Sequence, residues 1–373
     1  MLRDLTIQNY RCFKNFHIDG LAQVNLLVGM NNIGKTTFLE AIYLITNHGN
    51  PIYLFGVMVN RGEVNRGDLN TSPNSGLLKK NYKYPIYRLF HDNQTTEEKK
   101  IIIQSSSTKK IIIQVTEVDN AQYSLNLNID NLNIDESELD LETELSRKYL
   151  EILYGSKTSN SFPISNDGFL SKNFYKKSLL HLPNSSSESI WVTNELTEVR
   201  DLARLWDKII LTPKEDKVIE ALRTLEPNIQ RLSFTSNPNY YSDILLKVEG
   251  KTEPLPLSSM GEGMGRILNL AMAAVTVENG FLLVDEIETG LYYESQTDMW
   301  RLMLDIAQQL NIQIFATTHS WDCICAFQEA LDELDDPSVG KLFRLSRKGE
   351  EIRPVEYDSE KLGVAVRQSI EVR

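Results

Sequence analysis

VNLLVGMNNIGKTT, residues 24–37, is the stretch of sequence that decides the fold. Its first part, Val24–Val28, is apolar except for Asn25 and is typical of a fully buried strand. Gly29–Thr36 then fits the pattern G-x-x-x-x-G-K-S/T, and an amphipathic helix is predicted from about Thr36 to Thr46. Strand, glycine loop and helix follow one another in the order that a phosphate-binding loop requires.

The residue types of this loop explain how it would hold a nucleotide. Its glycines let backbone N–H groups turn inward onto the β-phosphate, and the helix N-terminus adds the positive end of its dipole. Lys35 would bridge the β- and γ-phosphates, and the Thr36 hydroxyl would ligate Mg²⁺. The sequence therefore predicts ATP with Mg²⁺ as the ligand and the following nucleotide-binding residues: Gly29, Asn31, Asn32, Gly34, Lys35, Thr36 and Thr37.

The second half of the predicted site lies far downstream. Phe281–Val284 is a continuous apolar run that ends in Asp285 and Glu286. The first carboxylate can hold Mg²⁺ through its water shell, and the second can orient or deprotonate the attacking water. A strand predicted at Ile312–Ala316 ends just before His319, where an imidazole can contact the γ-phosphate or the water. We predict two catalytic residues, Glu286 and His319, and two metal ligands, Thr36 and Asp285.

A small, glycine-rich loop lies between these halves, where residues 257–266 read LSSMGEGMGR. It precedes a helix predicted from about Arg266 to Val277. A hydroxyl and exposed N–H groups at a helix N-terminus form an anion site. Because Gly29–Thr36 already holds the phosphates of the same subunit, this second loop most simply serves a nucleotide bound by another subunit.

The composition narrows the class of protein. The chain has 373 residues and a net charge of −12, with 39 Lys and Arg against 51 Asp and Glu, and its 41 % hydrophobic content is that of a globular protein. No apolar run approaches the roughly 18 residues of a membrane span, so we expect a soluble, cytoplasmic protein with no membrane partner. Three cysteines predict neither a disulfide framework nor a zinc site. The acidic balance argues against a surface built as a whole for nucleic acid, although a local basic groove is compatible with it.

With these motifs in view, the chain resembles the ABC-type ATPases of the SMC, RecF and OLD group. It is most similar to the small prokaryotic RecF-like or OLD-like AAA ATPases of the AAA15 and AAA21 type. The likeness covers residues 1–70 and 190–373 well and the middle of the chain poorly. It rests on NYRCF at residues 9–13, the Asn-Asn phosphate loop, SMGEG at residues 259–263 in place of the signature LSGGQ, the Asp285-Glu286 pair and THS at residues 318–320.

The resemblance implies a nucleotide site shared between two subunits. The signature residues implied to act in trans, at the γ-phosphate of the partner's nucleotide, are Ser259, Gly261, Glu262 and Gly263. Arg11 is implied to lie near the phosphates, and Glu288–Leu291 to line the dimer interface. Met260 replaces the usual signature glycine, and Tyr292 stands where relatives often carry His; these departures leave the hydrolysis rate open. Three residues are candidates for the Q-loop glutamine of relatives, and the sequence does not choose among Gln94, Gln104 and Gln114.

The predicted fold class is α/β: a P-loop ABC-type ATPase head of the RecF/SMC-like kind, with an antiparallel β subdomain and a compact mixed α/β insertion. No long coiled coil is expected, because no window between residues 75 and 250 offers four apolar heptads. Residues 1–70 are predicted to form the N-terminal half of the head with the phosphate loop, and residues 251–373 the C-terminal half. Residues 71–250 are predicted to form a lobe of β-meander and helices.

The middle of the chain carries a short duplication, KKIIIQ at residues 99–104 and again at 109–114. The polar turn between the copies predicts a β-hairpin, extended into a meander by Gln122–Ile129. A helix is predicted from about Leu139 to Leu153, and residues 155–190 are predicted to be a loop or mobile insertion. Other elements are strands at Leu5–Tyr10, Ile229–Phe234, Ile244–Val248 and Lys341–Leu345, and helices at Asn194–Lys208, Lys214–Leu225, Glu294–Leu310 and Trp321–Leu334.

Two biological uses fit this sequence. In the first, the ATPase forms a homodimer or higher oligomer through an ATP sandwich and controls a separately encoded effector, such as a Toprim-like nuclease, in prokaryotic anti-phage defence. The acidic charge and the short segment after His319, which is too short for a nuclease domain, favour this use. In the second, it is a RecF-like ATPase that binds DNA in repair or recombination. A transporter subunit is disfavoured by the signature loop and the meander.

Overall fold

The computed structural model describes residues 1–66, 82–96, 98–117, 148–165, 168–170, 189–194, 198–235 and 243–372. The chain forms two compact units. The phosphate-loop unit contains the described parts of Met1, Gly20–Leu39 and Ser187–Arg373. The antiparallel unit contains those of Leu2–Asp19 and Glu40–Ser186.

The strands, in chain order, are β1 (Leu5–Tyr10), β2 (Phe13–Ile18), β3 (Val24–Val28), β4 (Asn65–Arg66), β5 (Tyr82–Pro85), β6 (Lys100–Gln104), β7 (Ile111–Glu117), β8 (Lys148–Tyr154), β9 (Lys157–Ile164), β10 (Phe169–Leu170), β11 (Ser189–Val192), β12 (Ile229–Thr235), β13 (Asp243–Val248), β14 (Leu255–Pro256), β15 (Phe281–Val284), β16 (Gln313–Thr317), β17 (Gly340–Lys348) and β18 (Glu351–Tyr357). The α-helices are α1 (Lys35–Thr46), α2 (Pro51–Asn60), α3 (Val199–Trp206), α4 (Pro213–Arg223), α5 (Glu262–Thr276), α6 (Glu294–Gln309), α7 (Trp321–Asp332) and α8 (Ser359–Arg367). Short 3-10 helices lie at Ile86–Leu89, His91–Asn93, Leu257–Met260 and Pro337–Val339.

The phosphate-loop unit is built on a six-stranded sheet with the order β11-β15-β16-β3-β17-β18. Every pairing is parallel except that of the β17-β18 hairpin. All five residues of β3 and all five of β16 are buried, which is why, apart from Asn25, Gln313 and Thr317, their residues are apolar. Parallel strands bring their carboxyl ends to one edge of a sheet, so the residues after β3, β15 and β16 meet there.

A separate three-stranded sheet, β12-β13-β14, carries the glycine-rich loop of the same unit. β14 leads directly into the 3-10 helix Leu257–Met260, and α5 begins at Glu262. Gly261 between them has φ = +90°, a conformation that favours glycine. The helix therefore starts four residues earlier than the sequence predicted, because Gly261 breaks the backbone before it.

The antiparallel unit holds a nine-stranded sheet with the order β2-β1-β6-β7-β8-β9-β10-β5-β4. The duplicated KKIIIQ segments pair with each other as predicted, with Ile101 opposite Ile113 and Ile103 opposite Ile111. These four isoleucines are buried. The repeat is therefore a hairpin whose alternate apolar side chains build the core of this unit.

Two predictions for the middle of the chain were wrong. Lys148–Tyr154, predicted as the end of a helix, is a strand that pairs with β7 on one side and β9 on the other. Lys157–Ile164, predicted as loop, is the strand β9. Pairing with neighbouring strands of the sheet overrode the local pattern in both cases. Gln122–Ile129 and residues 139–147 lie outside the described residues.

The other predicted helices agree with α1, α4, α6 and α7 within a few residues. The helix predicted from Asn194 differs more, because α3 begins only at Val199. The helices α2 and α8 were not predicted from the sequence. Among the described residues the longest helix is α6, with 16 residues. Across the same residues, no helix is both long and apolar enough to cross a membrane. The α/β fold class with an antiparallel sheet and without a long coiled coil is thus confirmed on the described part of the chain.

Candidate functional site

The phosphate loop follows β3 and has a backbone that its glycines make possible. Gly29 has φ = +143° and Gly34 has φ = +108°. A Cβ atom at Gly29 would lie 2.7 Å from the backbone oxygen of Leu345, so a larger residue does not fit there. The loop then passes into α1 at Lys35. The structure therefore gives residues 24–46 the strand, loop and helix arrangement of a phosphate-binding site.

The Lys35 side chain lies within this loop. Its Nζ donates hydrogen bonds to the backbone oxygens of Gly29, at 2.6 Å, and Met30, at 3.3 Å. Burial lowers the pKa of Lys35 below its usual 10.5, and the nearby carboxylates of Asp285, Glu286 and Glu288 oppose that shift. The ammonium group is thus held in the loop by neutral carbonyl partners that a charged phosphate oxygen can replace.

Asp285 is held by two hydroxyl groups at the end of β15. Thr36 Oγ1 donates to Asp285 Oδ2 at 2.9 Å, and Thr317 Oγ1 donates to Asp285 Oδ1 at 2.5 Å. The backbone N–H of Glu286 in turn donates to Thr317 Oγ1 at 2.9 Å. The hydroxyl and carboxylate oxygens at Thr36 and Asp285 are hard donors of the kind that Mg²⁺ prefers, so the pair fits the predicted metal site.

Glu286 follows Asp285 with a strained backbone and two side-chain neighbours. Its φ is +47°, in the left-handed region that non-glycine residues seldom adopt. Its Oε2 accepts a hydrogen bond from Asn194 Nδ2 at 3.3 Å, and its Oε1 lies 3.7 Å from His319 Nδ1. His319 Nδ1 also lies 3.6 Å from Glu288 Oε1, and its side chain is 56 % exposed. The structure thus brings the two predicted catalytic residues together at the sheet edge.

Arg266 lies behind the two acidic residues, on α5. Its Nη1 donates to the backbone oxygen of Thr193 at 2.7 Å, and its Nη2 donates to those of Asp285 at 3.0 Å and Glu286 at 2.9 Å. Arg266 is only 5 % exposed. Burial lowers its pKa, and the surrounding carboxylates, with Glu288 first among them, oppose this shift.

The Ser259–Gly263 loop is presented at the start of α5. Ser259, Gly261 and Glu262 are exposed, and Ser259 Oγ donates to the backbone oxygen of Pro256 at 2.7 Å. The N-cap residue of α5 is Gly261, which has no side chain to donate or accept a capping hydrogen bond. A Cβ atom at Gly263 would lie 3.1 Å from the backbone oxygen of Gly290, so this loop packs closely on the segment after Glu286.

Arg11 belongs to the antiparallel unit and is occupied there by ion pairs. Its guanidinium lies 2.7 Å from Glu40 and donates to both carboxylate oxygens of Glu63, at 2.6 and 3.0 Å. The side chain is 7 % exposed. These contacts satisfy the guanidinium within its own unit, and a contact with phosphate stays a prediction.

Three residues in or beside the site had no role in the sequence-based prediction of this site: Asn194, Arg266 and Thr317. They contact Asp285 or Glu286 across 19 to 92 positions of chain, which a local motif does not reveal. One clue was available in the sequence. Thr317 is the last residue of β16 and Asn194 comes shortly after β11, and the carboxyl ends of both strands lie at the sheet edge that carries Asp285.

Together, the parallel sheet, the phosphate loop and the acidic strand end define a P-loop nucleotide hydrolase. Residues 1–324 match the AAA ATPase domain family of the AAA15 type. The chain therefore belongs to this family and is an ATPase, which confirms the family predicted from its motifs.

Individual proteins are similar to this chain over different lengths. The "ATP/GTP phosphatase" of Helicobacter pylori (strain ATCC 700392 / 26695) is 27 % identical over 390 residues, which cover 97 % of each chain. The "DNA replication and repair protein RecF" of Clostridioides difficile (strain 630) is 42 % identical over 45 residues, 12 % of each chain. A solved SMC head bound to the C-terminal winged-helix domain of ScpA gives a TM-score of 0.49 at 11 % identity, covering 97 % of this chain and 99 % of the other.

Proposed function

We propose that this ATPase works as a nucleotide-switched dimer. ATP binds at Gly29–Thr36 of one subunit, and the Ser259–Gly263 loop of a second copy closes over its γ-phosphate. Hydrolysis of the ATP then lets the two subunits part. The free energy of nucleotide binding thereby drives association of two protein surfaces.

The proposed hydrolysis uses the residues that meet at the sheet edge. Water attacks the γ-phosphorus while the bond to the bridging oxygen of ADP breaks, and the products are ADP and inorganic phosphate. Glu286 accepts a proton of the water, and His319, whose Nδ1 lies 3.7 Å from that carboxylate, contacts the γ-phosphate or the water. Lys35 stabilises the negative charge on the transferred group.

Mg²⁺ fits the oxygen donors of this site. Thr36 and Asp285, which are joined by a 2.9 Å hydrogen bond, would hold it together with the nucleotide phosphates. The ion would supply positive charge at the β- and γ-phosphate oxygens. The two residues therefore have a double role, since they position each other as well as the metal.

One observation carries the proposal of a shared site. The Ser259–Gly263 loop offers an exposed hydroxyl and a helix N-terminus whose N-cap residue, Gly261, has no capping side chain. Those groups suit an anion, yet the chain already has a complete phosphate loop at Gly29–Thr36. A nucleotide bound by a second copy supplies that anion.

Mixing two inactive variants tests the shared site. Lys35→Ala removes the phosphate-loop ammonium, and Ser259→Arg places a bulky cation on the exposed loop. Each variant alone is expected to lose almost all ATP turnover. An equimolar mixture contains heterodimers. In each of them, the intact phosphate loop of the Ser259→Arg chain faces the intact Ser259–Gly263 loop of the Lys35→Ala chain, so turnover returns. A mixture no more active than its two components contradicts a site shared between subunits.

We further propose that the switch controls a separately encoded effector, such as a Toprim-like nuclease, in prokaryotic anti-phage defence. The net charge of −12 supports a protein partner over a phosphate backbone. The test is co-purification with the product of a neighbouring reading frame, followed by assay of that protein with ATP, ADP and no nucleotide. Effector activity that is the same in all three conditions contradicts this role.

A RecF-like role in DNA repair or recombination is the second candidate. The 45-residue similarity to RecF favours it, as do the exposed Lys109 and Lys110 in the turn before β7. Fluorescence anisotropy with labelled duplex DNA distinguishes the two roles. ATP-dependent binding that weakens steeply with salt supports the DNA role, and no binding at low salt removes it.

A further inference from the structure

Arg266 joins two strand ends in the phosphate-loop unit. It lies on the second turn of α5, the helix that begins at the Ser259–Gly263 loop. Its guanidinium contacts the backbone after β11, at Thr193, and the backbone after β15, at Asp285 and Glu286. A side chain that is 5 % exposed and makes three short hydrogen bonds to carbonyls is fixed in place.

The choice of partners is unusual for an arginine in acidic surroundings. Asp285, Glu286 and Glu288 all act electrostatically on the guanidinium. Even so, Nη1 and Nη2 donate to backbone oxygens, and among the described residues Nε has no hydrogen-bond partner. Arg266 therefore holds the backbone in place through hydrogen bonds, in addition to balancing the charge of the carboxylates.

The backbone that it contacts carries the strained residue of the site. Glu286 has φ = +47°, which for a non-glycine residue persists only when its surroundings impose it. Arg266 fixes the carbonyl groups before and at Glu286, and Thr317 Oγ1 accepts the N–H of Glu286. The peptide groups on both sides of Glu286 are thus held, and the direction in which its side chain leaves the backbone follows from them.

We propose that Arg266 is a positioning residue for ATP hydrolysis, which holds the backbone of Glu286 so that its carboxylate meets the attacking water. The proposal rests on the proposed function, in which Glu286 is the base. Arg266 contacts neither the phosphate loop nor Lys35 among its hydrogen-bond partners, so its loss slows the chemical step and leaves ATP binding in place. Displacement of a catalytic group by about 1 Å can cost about 100-fold in rate.

A double-mutant cycle tests this role by single-turnover phosphate release with enzyme in excess. The variants are Arg266→Met, Glu286→Gln and the two combined, with affinity for ATP measured separately by calorimetry. Arg266→Lys is the second variant, because it keeps the charge and reaches one carbonyl in case the methionine protein does not fold. Arg204→Met, at an exposed arginine of α3, is the matched control.

The expected result is a rate about 30- to 100-fold lower in Arg266→Met, a smaller loss in Arg266→Lys, and an affinity for ATP within about twofold of the parent. In the Glu286→Gln background, the same substitution should change the remaining rate by less than about threefold, since a residue acting through Glu286 has nothing left to position. Equal losses in both backgrounds, or a parallel loss of ATP affinity, overturn the proposal. If Glu286→Gln leaves the rate of phosphate release unchanged, the assignment of Glu286 as the base is wrong. If Glu286→Gln lowers that rate and Arg266→Met does not, only the role of Arg266 is wrongly assigned.

Discussion

Thr36 Oγ1 donates a 2.9 Å hydrogen bond to Asp285 Oδ2, although 249 positions separate the two residues in the chain. Thr36 lies in the first turn of α1, and Asp285 directly follows β15. β16 lies between β15 and β3 in the sheet, so the contact reaches across a strand at the shared carboxyl edge. This relationship joins the two halves of the nucleotide site.

Lys35→Ala should weaken ATP binding by at least about 100-fold, because it removes the ammonium group that meets the phosphates. Isothermal titration calorimetry with ATP and Mg²⁺ measures the change. Lys208→Ala, which alters an exposed lysine of the same unit, should bind ATP like the parent protein. Full affinity in Lys35→Ala would falsify the assignment of the phosphate loop.

Thr317→Val should destabilise the protein by about 1–3 kcal/mol, because it leaves the Glu286 N–H without its buried acceptor and removes a donor to Asp285. Thr317 is fully buried, so water cannot replace the hydroxyl. Urea denaturation measures the free energy of unfolding. The rate of phosphate release should also fall, because Thr317 contacts Asp285 and the backbone of Glu286. Thr317→Ser keeps the hydroxyl and serves as the control. Equal stability of the valine and serine variants contradicts this account.

Glu40→Ala should destabilise the antiparallel unit by about 3–5 kcal/mol. The Glu40 carboxylate is fully buried, pairs with Arg11 and Arg61, and accepts a hydrogen bond from Tyr10. Its removal leaves two guanidinium groups without that partner. Glu63→Ala is the matched control, because Arg11 keeps its ion pair with Glu40 in that variant. Urea denaturation should show a clearly smaller decrease in the free energy of unfolding for Glu63→Ala than for Glu40→Ala. A larger loss for Glu63→Ala would show that the buried carboxylate is not the centre of this network.

Most of the phosphate-loop unit could be predicted from the sequence. Strands buried on both faces appear as continuous apolar runs, as in Val24–Val28 and Phe281–Val284, and glycine or acidic residues mark where they end. The site residues Lys35, Asp285 and Glu286 follow directly from those ends. Local sequence suffices here because each motif lies within one strand and the loop after it.

The rest depended on contacts that are distant in the sequence. Lys148–Tyr154 became a strand because β7 and β9 pair with its two edges, which its own residues do not specify. The local sequence identifies Arg266 only as a helix residue. The fold places its guanidinium against the backbone oxygens of Asp285 and Glu286. Asn194 acquires its neighbour Glu286 in the same way, across 92 positions of chain.

The most direct test of the nucleotide-switched dimer is the mass of Glu286→Gln in solution, measured by light scattering with saturating ATP and Mg²⁺. The variant should bind ATP without hydrolysing it, and so should accumulate as a dimer of twice the 42.7 kDa chain. Adding Ser259→Arg to the same chain should return it to the monomer, and ADP should do the same. A monomer under saturating ATP, or a dimer that ignores both the nucleotide and the Ser259 substitution, contradicts the account.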